Sequence, residues 1–151
     1  MRDLLFRGKS ANTGEWIYGR NILRFHGTEE FADEVFIGPI GNFVLVRKDE
    51  SGNIDGMKHA GFVRVDMDTV GQYTGLNDKN GKRIFEGDIV KVHWGLDFCD
   101  DSVHAVTWQN AAWYIVEKGT HAADLLIDVD KSILEVIGNI YENPELMEET
   151  P

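Results

Sequence analysis

Between Gln72 and Val92 two glycine-bearing turn signals bracket runs of β-forming residues. This stretch restricts the chain to hairpin architecture more tightly than any other. Asp78-Lys79-Asn80-Gly81 fits a type I turn whose fourth residue enters the left-handed region, which glycine adopts without a Cβ penalty. Ile84 to Trp94 then carries an extended run interrupted at Gly87. Alternation puts Val90, Val92 and Trp94 on one face of it and Lys91 and His93 on the other. The segment reads as turn and strand, with no reaction site in it.

The same grammar runs through much of the chain. Leu4–Lys9, Glu15–Tyr18, Ile22–Phe25, Val35–Ile37, Phe43–Arg47 and Phe62–Val65 are short bulky runs separated by turn residues. Lys48–Lys58 reads as a loop. Val103–Trp108 and Trp113–Glu117 pair across Gln109-Asn110-Ala111, and Gly119–Asp124 reads as loop. Leu125, Val129, Ile133 and Ile137 fall at helical spacing, but the β-formers from Ile133 to Ile140 favour a strand there. Asn143-Pro144-Glu145 is a helix start, with Asn as cap and Pro at the first position, for a short helix before Pro151. A weak boundary near residues 67–76 gives an N-terminal β-rich region, 1–70, and a second region, 71–151.

With 151 residues and 42% hydrophobic composition, the chain can bury a core without disulfides. Its formal net charge of -11 opposes binding to polyanions, which requires clustered Lys and Arg. The lone Cys99 has no internal disulfide partner, no secretory segment opens the chain, and no run approaches a membrane span. The expected compartment is a reducing cytoplasm, with no membrane partner.

Gln72-Tyr73-Thr74-Gly75-Leu76, Asp78-Lys79-Asn80-Gly81 and Glu86-Gly87-Asp88-Ile89-Val90 resemble the joined signature of the YopX-like family of phage and prophage proteins. Phe6-Arg7-Gly8-Lys9 with Gly14-Glu15-Trp16 is similar to the family's opening, and Val136 to Leu146 to its close. The resemblance implies a mainly β protein with an SH3-type β-barrel in the C-terminal half, self-assembly, and a bacterial host cell. It implies no established activity and carries over no catalytic residue.

Candidate chemistry is sparse. His93, Asp97, Cys99, Asp100, Asp101 and His104 crowd one region, but one Cys and two His at this spacing match no standard zinc pattern. Asp124, Asp128 and Asp130 lack the ordered spacing of a calcium loop. Cys99 beside His93 or His104 is a conceivable thiolate pair. Glu86 and Asp88 are better explained as a turn entering a strand than as an acid–base pair. Lys79, Lys82, Arg83 and Lys91 form the most basic local cluster, with Tyr73 available for stacking. Trp16, Trp94, Trp108 and Trp113 divide between core and interface.

The expectation is therefore a mainly β, non-enzymatic protein that needs no metal or cofactor and self-associates, its other protein partner unknown. The second reading is a nucleic-acid-binding accessory protein using Tyr73, Lys79, Lys82, Arg83 and Lys91.

Overall fold

The computed structural model describes residues 4–29, 32–38, 61–96 and 99–148. The strand expected at Phe43–Arg47 and the loop at Lys48–Lys58 lie outside them. The chain divides into two compact units, Asp3–Gln72 and Tyr73–Pro151. Among the described residues the protein is mainly β, with antiparallel pairing throughout and helical structure confined to 3-10 turns.

In the first unit, β1 (Phe6–Lys9) and β2 (Trp16–Gly19) make an antiparallel hairpin with Lys9 opposite Trp16. Ser10 organises its turn: its hydroxyl oxygen accepts from the N–H groups of Asn12 and Thr13, and its own N–H donates to Glu15 O. β3 (Asn21–Phe25), β4 (Glu34–Gly38) and β5 (Val63–Val65) form a second antiparallel sheet. Val35, Ile37 and Val65 are the core, with Phe6, Ile17 and Val70 packed on them. Gly19 is required by a close approach, since a Cβ there would lie 1.8 Å from the Gly38 carbonyl oxygen.

β6 (Gly71–Asn77) begins in the first unit, where Gly71 and Gln72 pair with β1, and continues into the second. There it forms a hairpin with β7 (Arg83–Phe85) through the Asp78–Gly81 turn, and Gly81 has φ +79° as its position requires. β8 (Asp88–Val92), β9 (Ser102–Gln109), β10 (Ala112–Glu117), β11 (Ala123–Leu125) and β12 (Leu134–Asn139) form one antiparallel sheet in the order β11-β10-β9-β8-β12. Ile84, Val90, Val92, Val106, Ile115, Leu126, Leu134 and Val136 make its core, and Leu76 packs against them. The period-two expectation for β8 holds: Val90 and Val92 are fully buried while Lys91 and His93 sit on the other face.

Two expectations are met only in their coarser form. The sheet is open among the described residues, with β11 and β12 as its ends, so no closed SH3-type barrel is formed. β11 is three residues long, and Leu126 after it is buried in the core. The free side of β12 is met by the β6–β7 turn instead, where Lys79 N–H donates to Leu134 O at 2.9 Å. The expected C-terminal helix is a 3-10 turn, Pro144–Met147. Asn143 does not cap it: its side-chain oxygen turns back to accept from Asn139 N–H. With one turn and no cap, the cost of helix nucleation is not recovered by propagation.

Candidate functional site

The polar residues of the signature segments build turns. The Asp78 carboxylate accepts from the N–H groups of Asn80 (2.8 Å) and Lys82 (2.9 Å) within its own turn, and from Val136 on β12 at 2.9 Å. Asp88, 2% exposed, accepts from Phe85 N–H at 2.8 Å across the glycine turn between β7 and β8. Gly87 in that turn has φ +80°. Asn139 Oδ1 accepts from the N–H groups of Tyr141 and Glu142 as the chain leaves β12. The Glu86–Asp88 pair thus serves strand entry.

Two of the four residues of the basic cluster are ion-paired. Lys79 Nζ lies 2.6 Å from Glu135, and Lys91 Nζ lies 3.1 Å from Asp101. Tyr73 is 8% exposed, its hydroxyl donates to Asn77, and the Arg83 guanidinium sits 5.7 Å from its ring centroid. Lys82 and Arg83 are exposed.

The metal candidates are separated by strand alternation. His93 faces outward from the sheet with Lys91, where Nδ1 is 2.9 Å from Asp101 Oδ2 and Nε2 is 2.7 Å from Glu135 Oε2. The hydrogen bond from Lys91, followed by those from His93, holds the Asp101 carboxyl below its usual range. Lys79, then His93, does the same for Glu135. His104 lies on the opposite, core-facing side, 2% exposed, with Nε2 2.7 Å from Ser102 Oγ. Burial lowers its pKa, and the charges of Glu117 and Asp124 partly offset this. Cys99 is exposed, and Asp97 lies outside the described residues. Asp124 and Asp128 are exposed, while Asp130 accepts from Ser132 N–H at 2.9 Å, a bond that lowers its pKa. Among the described residues no group of three or more His, Cys, Asp or Glu side chains is placed to hold a metal ion.

The most distinctive surface feature is apolar and was not assembled from sequence. A groove of about 450 Å³ runs between Gly75 and Leu76 on β6, Trp108 and Trp113 on β9 and β10, and Leu125 and Ile127 beyond them. The two indole rings meet edge to face with centroids 4.7 Å apart. At the rim Trp108 is 47% exposed and Ile127 70% exposed. Ile127 is held in place: the Lys131 ammonium donates to the carbonyls of Leu126 (2.8 Å), Ile127 (3.3 Å) and Val129. Burial among these groups lowers the Lys131 pKa, and the charges of Asp130 and Asp128 partly restore it. The only sequence signal for this groove was the surplus of tryptophan, which does not say which indoles meet.

The family profile of the YopX protein matches residues 5–148. The chain belongs to the YopX protein family. The crystal structure of yopX from Bacillus subtilis is similar at TM-score 0.53 and 16% identity, covering 98% of this chain and 100% of that one. It shares the fold. The crystal structure of protein EF1440 from Enterococcus faecalis aligns at TM-score 0.49 and 23% identity, over 98% of this chain and 100% of that one. No curated protein matches the chain.

Proposed function

We propose that this YopX-family protein is a non-catalytic interaction module that self-associates through the Trp108–Ile127 groove. The observation that carries this reading is Ile127, a large apolar side chain 70% exposed on a loop that three carbonyl–ammonium contacts hold in place. A loop with no role in contact would not need such a cage, and a fixed apolar knob loses little conformational freedom on docking. Knob and groove lie on the same face, so two copies related by a twofold axis can each seat its knob against the other's groove. The groove's apolar lining and exposed tryptophan match the aromatic-rich centre of protein interfaces.

The second unit serves this role as an SH3-like scaffold, in which the Asp78–Gly81 turn meets β12 where a barrel would close strand on strand. The signature residues are then shape-forming, in keeping with a protein that binds without reacting. A bacterial cytoplasm and a phage or prophage setting agree with the family's signature and with the free Cys99 thiol.

Light scattering over a concentration series tests the reading. The wild type is expected above monomer mass. Added salt should strengthen association, because two chains of net charge -11 repel until screened. Ile127→Asp should weaken it on the order of tenfold or more. A strictly monomeric wild type at high concentration in salt would refute the proposal.

A further inference from the structure

Five charged or ionisable side chains form one connected chain on the outer face of the β12–β8–β9 sheet. Lys79 meets Glu135, Glu135 meets His93, His93 meets Asp101, and Asp101 meets Lys91. The elements joined are the β6–β7 turn, β12, the end of β8 and the start of β9. Glu135 and Lys91 are directly opposite each other in the β12–β8 register, so strand pairing itself brings this cluster together.

The imidazole is the centre of the chain, and its geometry is specific. Both ring nitrogens face carboxylate oxygens, at 2.9 Å for Nδ1 and 2.7 Å for Nε2. An ionised carboxylate only accepts hydrogen bonds. A neutral imidazole carries one N–H, so one nitrogen would then turn its lone pair toward an anionic oxygen at contact distance. Only the doubly protonated ring makes both bonds. We propose that His93 is a proton-operated clasp that ties β12 to β9 across β8 through Glu135 and Asp101, and that loses one of its two arms when the ring is neutral.

The neighbouring charges set the limits of this device. Lys79 and Lys91 stay bonded to the two carboxylates whichever form the ring takes, so the sheet persists and only the His93 link is governed by protons. Both carboxyls are held below their usual range, by Lys91 and then His93 for Asp101, and by Lys79 and then His93 for Glu135. A carboxylate depressed on folding contributes above its unfolded pKa, and the contribution is lost as pH falls through the folded value. The clasp is thus lost on the acid side once the carboxylates are protonated, and it has a single arm wherever the ring is neutral. Trp94, Ser102 and the buried His104 form a separate hydrogen-bonded chain, with no bond to His93.

A double-mutant cycle between His93→Gln and Glu135→Gln, run by urea unfolding at about pH 5.5 and about pH 8.5, tests this. The coupling is expected at the acid end as a roughly two- to fivefold effect on the unfolding equilibrium, and at the alkaline end it should shrink toward none for whichever carboxylate the neutral ring releases. A cycle between His93→Gln and Asp101→Asn separates the arms, since the neutral ring retains one of them. The proposal is overturned if both cycles give the same coupling at the two pH values, as a purely structural contact would. It is equally overturned if neither pair couples at the acid end.

Discussion

Replacing Asp78 should unfold the second unit more readily than any exposed change in the same turn. Its carboxylate serves three backbone N–H groups, and they are not equivalent. Those of Asn80 and Lys82 belong to exposed residues, so water replaces much of what Asp78→Ala removes. That of Val136 belongs to a residue 9% exposed and would be left without an acceptor. A buried hydrogen bond to a charged group contributes about 1.5–3 kcal/mol, and each of the two that water can replace about 0.5–1.5 kcal/mol, so the sum is about 2.5–6 kcal/mol. That is a large part of the ~5–15 kcal/mol by which domains are stable. Asp78→Asn should cost less, about 1–3 kcal/mol, because the amide keeps one acceptor for the turn but points N–H toward N–H at Val136. Lys82→Ala, with its backbone N–H unchanged, is the control and should stay within about 0.5 kcal/mol of wild type. Urea unfolding followed by tryptophan emission in a Trp16→Phe background reads the second unit alone, since Trp94, Trp108 and Trp113 all belong to it. If Asp78→Ala falls within about 1 kcal/mol of wild type at unchanged m-value, the carboxylate does not hold β12 and the reasoning fails.

Gly87→Ala should destabilise the same unit by about 1–3 kcal/mol in denaturant unfolding, because φ is +80° and the new Cβ would lie 2.8 Å from Tyr141 Cε2. Ala111→Gly should stabilise it by up to about 1 kcal/mol, since Ala111 sits at φ +60° in the β9–β10 turn and glycine removes that strain. A midpoint that does not rise would mean that the entropy glycine adds to the unfolded chain outweighs the relief.

Several elements were legible from local chemistry. Asp78-Lys79-Asn80-Gly81 encodes a turn because glycine alone takes the last position freely, and β8 alternates because Val90 and Val92 must face apolar neighbours. The hairpin of β9 and β10 was readable from two bulky runs around Gln109-Asn110-Ala111. Gly119–Asp124 reads as loop, yet its end enters β11: Ala123-Asp124-Leu125 has no β-branched residue and is strand only because Tyr114, Ile115 and Val116 offer it a free edge. The basic cluster was legible as charge but not as partnership, because Glu135 reaches Lys79 only through the pairing of β12 with β8.

The amino-acid sequence by itself determined the β character, the turn positions, the faces of the central strand and the family signature, because these depend on residues within a few positions of one another. The tertiary structure alone decided that the sheet stays open, that Tyr73 is spent in the interior, and that Trp108, Trp113 and Ile127 form one groove. It also decided that His93 stands between two carboxylates. Each of these is a meeting of residues distant in the chain, fixed by strand register and burial, and no local preference encodes it.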